Sequence, residues 1–187
     1  MEAMEVIPMK ILIINGSPRP EGNTTIALNE MVKVFEADGI ETDVVRTGSD
    51  DVRGCIACGA CASKGKCVFD DIVNRLAPKF EAADGLVIAS PVYYASANAT
   101  LIACLDRLFY STNFDKTMKV GASVAVARRG GCSATFDELN KYFTISGMPR
   151  SPPASIGTAY MGWKKDRLNR IWRDFRRCGR WLGTWLS

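Results

Sequence analysis

Histidine is absent from all 187 residues. That excludes Ser-His-Asp triads, histidine general bases and most zinc sites. No apolar run is long enough to cross a bilayer. The opening residues, Met1-Glu-Ala-Met-Glu5, lack the basic, apolar and small-residue order of a secretion signal, which points to a cytoplasmic protein. The first glycine turn is not followed by the lysine of a nucleotide triphosphatase loop, and no Gly-x-Gly-x-x-Gly dinucleotide fingerprint occurs. No nucleic-acid recognition module is visible either. Chemistry in this chain must therefore be carried by a cofactor or by Cys, Asp, Glu, Tyr, Lys or Arg.

What is present alternates. Met9–Asn15 is a continuous apolar run of the kind found in a central parallel strand. Asn23–Asp38 has helical spacing of Ile26, Met31, Val34 and Phe35 and stops at Gly39. Strands are expected at Ile40–Arg46, Gly85–Ser90 and Lys119–Ala127, and helices at Asp70–Ala82, Asn98–Tyr110 and Ser133–Gly147. Strands and helices in turn with short joins predict an α/β fold built on a doubly wound parallel sheet. In such sheets ligands bind beyond the carboxyl ends of the strands. Three loops fall there: Gly16–Thr25, Pro91–Asn98 and Arg128–Gly131.

Each of these loops suits a flavin. The first, Gly16-Ser-Pro-Arg-Pro-Glu-Gly-Asn-Thr-Thr25, brings Ser17, Arg19, Asn23, Thr24 and Thr25 to the start of a helix. Free amides and a positive dipole end favour an anion there, such as a terminal phosphate monoester. An ordinary capped turn is the competing explanation. The second loop supplies Pro91, Val92, Tyr93 and Tyr94. Its backbone can bond the polar edge of an isoalloxazine, and either tyrosine can pack on the ring or on a second subunit. The third loop allows close backbone approach at Gly130 and Gly131, with Arg128 placed to neutralise an anionic reduced flavin.

Cys55, Cys58, Cys61 and Cys67 place four thiols within thirteen residues, with Gly54, Gly59 and Gly65 letting the chain wrap. The spacing suits a cubane 4Fe-4S cluster. Free or redox-active thiols and a zinc site stay open as alternatives. Of the other three cysteines, Cys104 reads as a core residue on a helix face, Cys132 as a loop thiol and Cys178 as a tail thiol.

Gly16-Ser-Pro-Arg with Asn23-Thr, Ala83-Asp-Gly, Ser90-Pro-Val-Tyr-Tyr and Leu105-Asp-Arg107 together resemble the NADPH-dependent FMN reductase family, and the cysteine loop narrows the resemblance to iron–sulfur flavoproteins. The resemblance covers roughly residues 9–149. It implies a flavodoxin-like sheet of order 2-1-3-4-5, noncovalent FMN, NAD(P)H as donor, and a homodimer or homotetramer. The implied activity is an oxidoreductase passing electrons to a quinone- or azo-like acceptor or to another protein. An electron carrier partnered with ferredoxin is the alternative. A flavodoxin-like interaction protein with an empty site is a third.

The composition changes at Pro149. Residues 1–149 read as the flavin domain. Residues 150–187 hold nine Lys/Arg against two Asp/Glu, and all four tryptophans (Trp163, Trp172, Trp181, Trp185). The resemblance implies a fifth strand and a last helix here, and the residues fit neither well, so the fifth strand is doubtful. Two explanations stand. Residues from about 150 onward are the product of a frameshift, or Lys164–Leu186 is a basic amphipathic helix with Leu168, Ile171, Trp172 and Phe175 on one face.

Overall fold

The computed structural model describes residues 9–149 and the strand residues 159–160. Strand β1 (Lys10–Asn15) leads to helix α1 (Asn23–Ala37) and strand β2 (Glu41–Arg46). The cysteine loop follows and contains the short helix α2 (Ala60–Lys64). Then come α3 (Ile72–Ala82), β3 (Gly85–Pro91), α4 (Ala99–Ser111), β4 (Val120–Ala127), α5 (Cys132–Ile145) and β5 (Ala159–Tyr160). The sheet is parallel in the order β2-β1-β3-β4-β5. The expected order is thus found. Among the described residues the fifth strand comprises Ala159 and Tyr160, opposite Val126 and Ala127. The other tail residues, Cys178, the helix at Lys164–Leu186 and the frameshift reading lie outside the described residues.

The core explains the sheet's central position for β1. Its apolar run alternates between two clusters, as period-two side chains must. Leu12 and Ile14 face Leu76, Phe80, Leu101, Leu105, Leu139 and Phe143 of α3, α4 and α5. Ile11 and Ile13 face Ala27, Leu28 and Phe35 of α1. Ile13, Ile14 and Leu12 are essentially inaccessible. Each such side chain contributes about 1.5–3 kcal/mol of burial free energy.

Helix starts are set by caps. Asp71 precedes α3 and accepts from the Val73 amide at 3.0 Å, so α3 begins at Ile72 and not at Asp70. Asn98 does the same for α4, accepting from the Thr100 amide at 2.8 Å. Gly131, with φ of 91°, turns the chain into α5 one residue earlier than the pattern predicts. Cys132, expected in a loop, is therefore the first residue of α5, buried with its thiol toward the Ala125 carbonyl at 3.6 Å. Cys104 is core, as expected.

Candidate functional site

The turn after β1 is braced from within. Ser17 is buried, and its amide donates to Asn15 Oδ1 at 2.9 Å. Its hydroxyl donates to the Arg19 carbonyl and accepts from the Arg19 amide, both at 3.3 Å. Asn15 Nδ2 donates to Thr25 Oγ1 at 3.1 Å. The Gly16 amide donates to the Ala89 carbonyl at 2.7 Å, which ties the turn to β3. Arg46 reaches across from β2 to the Pro18 carbonyl at 3.2 Å. The loop after β2 lies flush against the turn: a Cβ on Gly48 would stand 2.3 Å from the Gly16 carbonyl oxygen.

Gly22 opens α1 without any side-chain cap. The first-turn amides of Asn23, Thr24 and Thr25 are thus left without a side-chain acceptor, in a turn that supplies hydroxyls from Ser17 and Thr25. Such a terminus fits a phosphate. Thr24 is buried and Thr25 half-buried, whereas Arg19 and Asn23 are exposed. The first pair helps shape the turn, and the second pair stands at its rim.

The second and third loops touch. Pro91 ends β3, and the Val92 amide donates to the Val126 carbonyl at 2.9 Å. Tyr93 and Ser96 form a small antiparallel bridge around Tyr94 and Ala95, whose φ values are +51° and +62°. Tyr93 is about half exposed and Tyr94 wholly so. A Cβ on Gly131 would stand 2.7 Å from Ala95 Cα, so only glycine lets the loops meet this closely. Gly130 has open space beside it, and Arg128 lies exposed at the end of β4. Glu138 on α5, which the sequence did not single out, accepts from the Ser96 hydroxyl at 2.9 Å and from the Ala97 amide at 2.9 Å. Its position on an amphipathic helix carries no local signal of that role.

The cysteine loop forms a second site. Left-handed glycines stand on either side of α2, with φ of 69° at Gly59 and 65° at Gly65, and Ala57 shares that conformation at 53°. Cys55, Cys58, Cys61 and Cys67 line one pocket with Phe69 and Arg107. Asn74 pins the end of the loop. Its Oδ1 accepts from the Cys67 amide, and its Nδ2 donates to the Cys67 and Phe69 carbonyls, each at 3.0 Å. Arg107 of α4 is buried and donates Nε to Cys67 Sγ at 3.2 Å. Burial works against its charge, but Asp71 and Cys67 more than offset that and hold the guanidinium firmly protonated.

Among the described residues no three His, Cys, Asp or Glu side chains converge as one metal ion demands. A tetrahedral zinc site needs sulfurs about 3.8 Å apart around one point, from Zn–S bonds near 2.3 Å. A cubane cluster binds each thiolate to a separate iron, and Cys55, Cys58, Cys61 and Cys67 around this pocket are the residues that would hold one.

The NADPH-dependent FMN reductase profile matches residues 9–160, which takes in all three strand-end loops and the cysteine loop. The chain belongs to this family. An iron-sulfur flavoprotein of Methanocaldococcus jannaschii is 37% identical over 161 residues, covering 82% of this chain and 83% of the relative. Among solved structures, RosB with its bound intermediate 8-demethyl-8-formylriboflavin-5'-phosphate superposes with a TM-score of 0.70 at 23% identity, covering 92% of this chain and 76% of RosB. A flavodoxin from the domain Archaea gives 0.61 at 14% identity, covering 92% and 97%. These two likenesses establish a flavodoxin-like fold. Among the described residues no helix is long and apolar enough to cross a membrane.

Proposed function

We propose that this chain is an FMN-dependent oxidoreductase that takes electrons from NAD(P)H or a reduced carrier. It passes them to a quinone- or azo-like acceptor or to a protein. The observation that carries this reading is the uncapped start of α1 inside the Gly16–Thr25 turn, at the carboxyl end of β1. Ser17, Thr24, Thr25 and the α1 amides would hold the phosphate, with Arg19 and Asn23 at the rim. The backbone of Pro91–Tyr94 and of Gly130–Gly131 would border the isoalloxazine, with Arg128 near its anionic edge. Bound FMN would supply the electron chemistry, and no side chain is assigned as an essential acid or base. The exposed Tyr93 and Tyr94 also suit a contact with a second copy in a homodimer or homotetramer, and we place the protein in the cytoplasm.

The second reading is an electron carrier of the iron–sulfur flavoprotein type, exchanging electrons with ferredoxin-like partners. The four thiols around one pocket, with Arg107 donating to Cys67, favour it.

Protein purified without oxygen decides between them. An absorption spectrum with iron and sulfide assays should show FMN. About four irons per chain, as a cubane requires, supports the carrier, especially if ferredoxin reduces the protein and NAD(P)H does not. Flavin without iron supports the simple reductase. A protein that binds no FMN overturns both. Riboflavin should bind much more weakly than FMN if the turn after β1 holds the phosphate.

A further inference from the structure

Arg107 is 1% exposed, yet every N–H it owns has a partner. Nη1 donates to Asp71 Oδ2 at 2.6 Å and to the Arg53 carbonyl at 3.2 Å. Nη2 donates to Asp71 Oδ1 at 3.0 Å and to the Phe69 carbonyl at 3.5 Å. Nε is left for the Cys67 sulfur at 3.2 Å. The guanidinium also lies over the Phe69 ring, 4.9 Å from its centroid. One buried cation therefore touches the chain just before the cysteine loop, at Arg53, and at the loop's far end, at Cys67 and Phe69.

The five bonds are unequal in kind. Two fix the loop's ends through the backbone carbonyls of Arg53 and Phe69, and two balance charge on the carboxylate oxygens of Asp71. The carboxylate of Asp71 accepts twice, so it opposes the cation's field nearby. The Nε bond alone ends on a sulfur that the thiol pattern assigns to a metal cluster. A charged donor on a ligand sulfur favours the more negative, reduced state of the cluster. A carboxylate beside that donor works the other way.

We propose that Arg107 is a positioning residue that sets the reduction potential of the cysteine-loop cluster through its N–H···S bond to Cys67, with Asp71 as the opposing charge. The inference rests on the cluster reading given above. The redox step is the addition of one electron from a reduced carrier to the cluster, with no bond made or broken in the protein. Arg107 raises the potential, and Asp71 lowers it.

The opposite signs supply the test. Full-length protein, purified without oxygen and reconstituted with ferrous iron and sulfide, is titrated with dithionite and redox dyes while the reduced cluster is followed by electron paramagnetic resonance. Arg107→Gln removes the charge and should lower the ratio of reduced to oxidised cluster at fixed potential by about tenfold, which is about 59 mV for one electron. Arg107→Lys keeps the charge and should fall between Gln and wild type. Asp71→Asn keeps an N-cap for α3 and should raise the ratio. A merely structural role would move Arg107→Gln and Asp71→Asn in the same direction or neither. Either result overturns the inference while leaving the cluster standing. If Arg107→Gln does not fold, Arg107→Lys and Asp71→Asn carry the decision, since they still must shift in opposite directions. A wild type that takes up no iron overturns the cluster reading and this inference together.

Discussion

The carboxylate of Glu138 holds Ser96 across 42 residues of sequence, with the Ala97 amide on the same oxygen at 2.9 Å. A helix on one side of the sheet thereby fixes the loop that would border the flavin. Glu138→Ala removes both bonds. At about 0.5–1.5 kcal/mol each, with somewhat more for a charged acceptor, the loosened loop should weaken FMN binding roughly tenfold. Fluorescence titration with FMN checks this, and unchanged affinity would separate the clamp from the binding site.

Gly48 and Gly130 make a contrasting pair. A Cβ at Gly48 meets backbone at 2.3 Å and 2.4 Å, where nothing can swing aside, while Gly130 has open space. Gly48→Ala should cost about 1–3 kcal/mol of stability and disturb the turn after β1. Gly130→Ala should fold normally and weaken FMN only if the flavin approaches that backbone. Thermal unfolding and FMN titration on both variants read the two effects separately.

Asn74 closes the cysteine loop with three hydrogen bonds to Cys67 and Phe69. Asn74→Ala leaves those backbone groups to find water. We expect a loss of about 1–3 kcal/mol and faster protease cleavage within residues 54–69 of the metal-free protein. Equal cleavage rates in wild type and variant would show that the loop is held elsewhere.

Cys104 links stability to pH. Burial, and then the charge of Asp71, push its thiol up from 9.0 to about 12. The folded thiol keeps its proton where the unfolded one has lost it. Its contribution is whole below about pH 9 and is lost as pH rises toward 12. Urea unfolding between pH 8 and 10.5 should show stability falling with pH in wild type. Cys104→Ala should be less stable throughout but fall less steeply above pH 9. Parallel slopes would contradict the linkage.

Much of the fold was legible because its signals are local. The apolar run at Met9–Asn15, the spacing in α1 and the strand–helix alternation each announce themselves within a few residues, and the observed bounds differ by one or two. The differences have physical causes. Asp71 became a cap and so fell outside its helix, and Gly131 started α5 early enough to bury Cys132. The site was less legible. Glu138 and Asn74 act over 41 and 7 residues respectively, on partners that no periodicity reveals. In the sequence Arg107 stands out only through the Leu105-Asp-Arg107 resemblance. A stronger clue was available: it lies in a helix whose Leu101, Cys104, Leu105 and Leu108 are all buried, and a cation there demands an anionic partner.

The bridge between Tyr93 and Ser96 encloses two non-glycine residues in left-handed backbone, and one of them, Tyr94, presents its entire ring to water. Turns of this hand are ordinarily filled by Asn-Gly, and each misfit costs on the order of 1 kcal/mol or more. A laboratory selection for heat tolerance alone would therefore be drawn to this spot first, trading Tyr94 for Asn and Ala95 for Gly. The survivors would melt later and would have lost an aromatic side chain that the chain strains itself to display.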